Sequence, residues 1–137
     1  MDDAAGVLQR YLAAWNDQDG ERLAALYHPD AERASPLGTA RGGAAVREFA
    51  ARLWRAAPDS RIEITHWATS GDVVLYEFTD EGTHTGPLAT PAGEVMGSGR
   101  RFRIEGAGVL ELRDGRIASE RVYFDAARFL GQLGIGR

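Results

Sequence analysis

The chain contains neither cysteine nor lysine, and each absence removes a class of chemistry. Without cysteine there are no disulfides, no thiolate nucleophile and no cysteine-held metal. All 16 basic residues are arginine, which excludes a Schiff-base amine, a P-loop lysine and an amine general base. No apolar run approaches the roughly 20 residues of a membrane span, and Asp2 and Asp3 make the N-terminus acidic where a signal peptide would be basic. The expectation is a cytoplasmic protein with no membrane partner. The formal charge of -4 is spread along the chain, whereas a nucleic-acid binder needs a clustered cationic face to displace counterions; no nucleic-acid partner is expected. What remains for acid-base work is carboxylate, imidazole and phenol.

At 137 residues the sequence is read as one domain, 1–137, long enough to bury about two-thirds of its unfolded surface and still enclose a cavity. Asp2 or Asp3 caps a first helix to about Asn16, with Val7, Leu8, Tyr11, Leu12 and Trp15 as its apolar stripe. A short second helix, Glu21 to Tyr27, is stopped by Pro29. An irregular stretch through Pro36, Gly38, Gly42 and Gly43 leads to a third helix with Val46, Phe49, Ala50, Leu53 and Ala57 on one face, ended by Pro58.

From Arg61 the apolar period changes from 3.6 to 2. Antiparallel strands are expected near Arg61 to Thr69, Val73 to His84, Gly99 to Leu112 and Ile117 to Phe124, with Ser70-Gly71-Asp72 and Asp114-Gly115 as turns and Leu88 to Ser98 as a flap. Helices first and sheet second define an α+β fold. A curved antiparallel sheet wrapped around the N-terminal helical half makes a cone-shaped α+β barrel that holds a cavity.

Several stretches carry a family resemblance: the helix end Tyr11 to Asn16, His28-Pro29-Asp30-Ala31, Gly82-Thr83-His84-Thr85-Gly86-Pro87-Leu88, Arg113-Asp114-Gly115-Arg116-Ile117, and Phe124-Asp125 with Gly131-Gln132-Leu133-Gly134. In these the chain resembles the SnoaL-like polyketide cyclases. Its helical half, Leu8 to Tyr11 through Val46 to Phe49, is also similar to the ketosteroid isomerases, and both belong to the nuclear transport factor 2-like (cystatin-like) superfamily. The resemblance implies a curved sheet, an apolar pocket, a homodimer and catalysis without a cofactor. Tyr11 matches the tyrosine oxyanion donor of the isomerases, but their two carboxyl positions fall at Ser35 and near Gly108. The cyclases place a histidine near Gly108 and an aspartate near Val122, so this chain matches neither catalytic set.

Strand parity selects the remaining candidates. Val74, Tyr76, Phe78, Asp80, Gly82 and His84 share one face, assigned to the interior, where Asp80 and His84 could pair as carboxylate and imidazole. A satisfied strand-end histidine is the bland alternative. Glu120 shares a face with Val122 and Phe124 and is either a replacement acid-base or an edge ion pair; Asp125 is either catalytic or the cap of a tail helix. Gly106 and Gly108 either leave room for a ligand ring or mark bulges. Trp15, Phe49, Trp54, Tyr76, Phe78, Phe102, Gly108 and Val122 are the expected substrate wall, and Trp67 is expected in the core or wall. His66 is read as buried or as a pocket group, and no metal is expected at His28 and Asp30.

The expected function is cofactor-independent chemistry on a small apolar carbonyl- or epoxide-bearing metabolite, by a cyclase or isomerase using His84, Asp80, Glu120, Tyr11 and Asp125. Two further readings stand beside it. One is a non-catalytic binding module with the same pocket. The other is a limonene-type epoxide hydrolase, which needs Arg101 or Arg103 turned inward.

Overall fold

The computed structural model describes residues 3–90 and 92–135. Helix α1 spans Ala4–Asn16, and its Val7, Leu8, Tyr11, Ala14 and Trp15 are buried at i, i+3 and i+4 spacing. Asp3 caps it, its carboxylate accepting from the Gly6 N–H at 2.7 Å; Asp2 lies outside the described residues. Helix α2 (Gly20–Ala25) is capped by Asp19 and ends earlier than the sequence suggested. Tyr27 instead opens a strand, β1 (Tyr27–Ser35), in which Pro29 lies, and β2 (Gly38–Arg41) pairs back on it.

These two strands replace the expected irregular stretch. Their alternation was hard to see because the inward positions of β1 are Tyr27, Ala31 and Arg33, and only one of them is a strong strand former. Helix α3 (Gly42–Ala56) buries Val46, Phe49 and Ala50. The remaining strands are β3 (Arg61–Ser70), β4 (Val73–Thr83), the short hairpin β5 (Leu88–Thr90) and β6 (Gly93–Val95), β7 (Arg101–Arg113) and β8 (Arg116–Phe124), followed by α4 (Ala126–Gln132). The expected flap thus carries a hairpin.

The main sheet has the order β2-β1-β8-β7-β4-β3. All its neighbours are antiparallel except β1 and β8, which run parallel. The parallel pair puts the first half of the chain beside its last strand, which an all-antiparallel reading of the second half had left out. The sheet curves without closing, and α1 and α3 fill its concave side. The α+β cone expected from the sequence is the fold observed. The β7–β8 turn has positive φ at both Asp114 and Gly115, the signature of a type I′ hairpin.

Two expectations on the sheet are corrected. A register shift between Ile64 and His66 inserts an extra residue, which reverses the parity of everything after it. His66 therefore lies exposed against Glu77, 3.1 Å away; Trp67 pairs with the inward Tyr76, but on the edge strand β3 it is 54% exposed instead of buried. The glycines of β7 leave no room for a ligand ring. Gly106 faces Phe78 and Gly108 faces Tyr76 across the β4–β7 ladder, and those aromatic rings lie over the glycines.

A Cβ on Gly108 would sit 2.2 Å from Cζ of Tyr76, a fixed ring in a packed core. Gly108→Ala is expected to destabilise the protein by about 1–3 kcal/mol in urea unfolding. Gly131→Ala, in open space on α4, should be neutral or stabilising by up to about 1 kcal/mol.

Candidate active site

Between the helices and the concave face lies a cavity of about 90 Å³, smaller than the roughly 300 Å³ at which typical ligand pockets begin. Its wall includes Trp15, Phe49, Tyr76, Phe78, Phe102 and Val122, six of the eight residues expected to line it. Gly108 is filled over by Tyr76. Trp54 stands behind the wall, its ring edge-on to Trp15 at 5.6 Å. Leu37, Phe49, Leu53 and Leu88 are shared with an adjoining groove of about 240 Å³, which prolongs the cavity toward the surface. Phe129 of α4 packs edge-to-face on Phe102 at 5.2 Å beside the mouth.

The cavity rests on a buried polar cluster. Glu120 on β8 is fully buried; the Tyr11 hydroxyl donates to one of its carboxylate oxygens and the Tyr27 hydroxyl to the other. Arg33 of β1 lies beside it, Nε 3.1 Å from Glu120 Oε1, although this N–H is not aimed at a hydrogen-bond partner. Because Tyr11 gives its single proton to Glu120, the Tyr76 hydroxyl, 3.2 Å from that of Tyr11, must be the donor in their contact. Burial, then the Glu120 charge, pushes the Tyr11 and Tyr27 phenols well above their usual range, and Tyr76 moves the same way for the same reasons. All three stay protonated donors. Burial alone would lower the Arg33 pKa, but Glu120 outweighs it and keeps the guanidinium charged. That guanidinium lies 4.7 Å from the Phe49 ring centre and 5.7 Å from that of Trp15, within cation–π range.

Asp80 has the opposite surroundings. On β4 it lies between Ile62 of β3 and Ile104 of β7 in register, and its Oδ1 is buried with no partner. Burial above all, then the neighbouring Glu81 charge, pushes this carboxyl up to about 7. His84 is buried, with Nδ1 held by Ser98 and Nε2 unpartnered. The Asp80–His84 pair does not form. Both line the cavity, but four residues of extended strand separate their backbones by about 13 Å.

Glu120 is inward, as its parity implied, but does not line the cavity. Asp125 caps α4 through the Arg128 N–H at 3.0 Å and lies away from the cavity. Arg101 and Arg103 stay on the exposed outer face, where Arg103 lies 3.3 Å from Glu105. Pro29 does not stop a helix but lies within β1, and its neighbours His28 and Asp30 sit against Arg113, whose carbonyl contacts His28 Nε2 at 2.5 Å and whose guanidinium pairs with Asp30 at 3.0 Å. Among the described residues no cluster of three His, Asp or Glu side chains could hold a metal ion, and no helix is long and apolar enough to cross a membrane. The buried charged side chain of the cavity wall that sequence reasoning missed is Arg33. The signal available for it was the period-2 placement of Tyr27, Ala31, Arg33 and Ser35 before a Pro-Leu-Gly turn.

A curved, unclosed sheet around a helical half, with a polar cluster beneath an apolar cavity, defines a nuclear transport factor 2-like α+β cone. More narrowly, the chain belongs to the SnoaL-like domain family, whose model matches residues 8–120. Among solved structures it is similar to TsrD from Streptomyces laurentii, at 25% identity over 98% of each chain with a TM-score of 0.83. It is similar also to IdmH from Streptomyces antibioticus, provisionally named a polyketide cyclase, at 24% identity over 98% of this chain and 100% of that one, TM-score 0.80. An LEH-like epoxide hydrolase from M. tuberculosis is similar at 24% identity over 95% of this chain and 88% of its own, TM-score 0.72. No curated protein matches the sequence.

Removing Glu120 alone would leave Arg33 buried and unpaired. Glu120→Leu is expected to cost about 3–5 kcal/mol, whereas combining it with Arg33→Met should recover part of the loss, the Tyr11 and Tyr27 hydroxyls still lacking their acceptor. A double-mutant cycle by chemical unfolding measures the coupling.

Proposed function

We propose that the protein is a cofactor-independent enzyme of the cyclase or isomerase type, acting on a small, mostly apolar, carbonyl-bearing metabolite with Asp80 as the acid-base group. The carrying observation is Asp80 itself: a carboxyl in the cavity wall, with a bare Oδ1, raised to about 7 where it can both take and return a proton near neutral pH. The Asp80 carboxylate removes a proton from the carbon next to a carbonyl, and the C–H electron pair becomes the C=C bond of an enolate with its charge on oxygen. Asp80 then returns the proton to a different carbon, or the enolate carbon attacks a second carbonyl and closes a ring, the carbonyl electron pair moving to its oxygen, which takes the proton back from Asp80. Trp15 Nε1–H and Arg33 Nε–H, both buried and neither hydrogen-bonded, the second ion-paired with Glu120, are donors available to the developing oxyanion. Glu120 acts at one remove, holding Tyr11 and Arg33 in place. Family membership and the names of two structural relatives, a polyketide cyclase and an epoxide hydrolase, support an enzyme role.

A homodimer in the cytoplasm is part of the same proposal. Leu75 and Tyr123 stand exposed on the outer sheet face near the ion pairs Arg121–Glu111 and His66–Glu77, an apolar patch with both charge signs at its edge that a second copy can cover. Sedimentation equilibrium should give twice the chain mass for the wild type and a monomer for Leu75→Glu with Tyr123→Glu.

The test of the chemistry needs no named substrate. A panel of cyclic ketones in D2O, read by mass spectrometry, should show accelerated exchange of the protons beside the carbonyl, rising with pH through about 7 as Asp80 ionises. Asp80→Asn should lower that rate by about 10²–10⁴-fold while ketone binding persists. Exchange that survives Asp80→Asn undiminished would remove Asp80 from the mechanism; binding without exchange in any ketone would favour the binding-module reading. Stability follows with its own sign. A carboxyl whose folded pKa exceeds its ordinary 3.8 binds its proton more tightly when folded, so stability falls as pH rises between about 4 and 7, and Asp80→Asn should flatten that slope.

A further inference from the structure

Two interactions converge on Nδ1 of His84. The backbone N–H of Ser98 reaches it at 3.2 Å, and the Ser98 hydroxyl lies 2.9 Å away. A backbone N–H can only donate, so Nδ1 must accept. The hydroxyl fits the same direction: its oxygen accepts from the Arg100 N–H at 3.3 Å, leaving its proton for His84. With Nδ1 held as an acceptor, the neutral ring carries its proton on Nε2. That nitrogen is buried and without a partner, and the residue lines the cavity.

The backbone around this contact is fixed from both sides. His84 N–H donates to the Arg100 carbonyl at 2.9 Å and Gly99 N–H to the His84 carbonyl at 2.8 Å. Gly97 lies so close to Thr85 that a Cβ there would sit 2.3 Å from the Thr85 carbonyl oxygen. Ser98 is thereby held on the imidazole by chain pairing.

We infer that His84 forms a hydrogen-bond-donor subsite in the cavity, presenting Nε2–H to an acceptor oxygen of the ligand, and that Ser98 is the positioning residue that fixes this tautomer. The assignment reverses the role that a carboxylate partner would have given the ring. A neutral imidazole whose proton faces the cavity binds a carbonyl or ether oxygen; it does not abstract a proton from carbon. The subsite rests on reading this cavity as the ligand site, but not on Asp80 performing the proton transfer. Its ligand class is an apolar body with an acceptor oxygen at the His84 position.

The direct test is the tautomer of His84 in ¹⁵N-histidine-labelled protein at pH 8, read from ¹⁵N–¹H long-range correlations. The expected pattern is protonated Nε2 with bare Nδ1 in the wild type and in Ser98→Ala, which keeps the backbone N–H. Ser98→Pro, which lacks it, should show mixed tautomers. A wild-type ring protonated on Nδ1, or a ring averaging between the two, overturns the assignment whether or not the proline variant folds. The second arm compares cyclohexanone with methylcyclohexane, which has the same bulk without the oxygen, by titration. The ketone should bind at least several-fold more tightly to the wild type and to Asp80→Asn, and that preference should vanish in His84→Phe. A preference unchanged in His84→Phe overturns the subsite. A preference lost only in Asp80→Asn also overturns it, placing the oxygen at Asp80; loss of proton exchange with the preference intact would bear on Asp80 alone.

Discussion

The interaction on which the rest depends is the buried contact of Glu120 with Arg33, closed by two tyrosine hydroxyls. It joins three elements: α1 through Tyr11, β1 through Tyr27 at its start and Arg33 near its end, and β8 through Glu120. Tyr76 of β4 attaches as a fifth partner through Tyr11. A carboxylate and a guanidinium removed from water cost several kcal/mol each unless well compensated, and here two hydroxyl donors and two aromatic faces share the compensation. An apolar core would hold these elements together with less electrostatic cost. The charged cluster constrains direction as well: β1 can lie beside β8 only where Arg33 meets Glu120, which matches the register pairing those two residues.

That constraint explains what the sequence showed and what it hid. The helical stripe of α1, the parity of β4, the Asp-Gly turn and the α+β order follow from spacing and turn chemistry, because in each the inward residues are apolar or the turn residues are specific. β1 was invisible for the complementary reason: its inward end is an arginine whose partner lies 87 positions along the chain, and nothing local distinguishes it from a solvated one. The fate of His66 depended on a one-residue bulge, which leaves no mark in a pattern of alternating residues. The strand glycines had an equally non-local cause, since Gly108 is small because Tyr76 needs the space above it.

The candidate site was legible as a set of residues more than as a set of relations. Tyr11, Asp80, His84 and Glu120 are all inward, yet the pairings are Tyr11 with Glu120 and His84 with Ser98. Parity tells which face a side chain takes, and it is silent on distance along the strand. Asp80 and His84 share a face and cannot touch, while Tyr11 and Glu120 are 109 positions apart and do.

The two inward carboxylates divide the work by how fully each is satisfied. Glu120 has a donor on each oxygen and a cation beside it, so further proton traffic there would break bonds that hold three elements together. Asp80 has isoleucines across both ladders and a bare oxygen, so gaining or losing a proton disrupts nothing else. Groups whose surroundings are pushed apart in this way separate structural from chemical roles. A saturated carboxylate can be rigid, and a starved one can react. The cavity is built so that the second is placed on scaffolding fixed by the first, with β4 common to both: its Tyr76 hydroxyl leans on the Glu120 cluster, and Asp80 lies on the same inward face further along the strand.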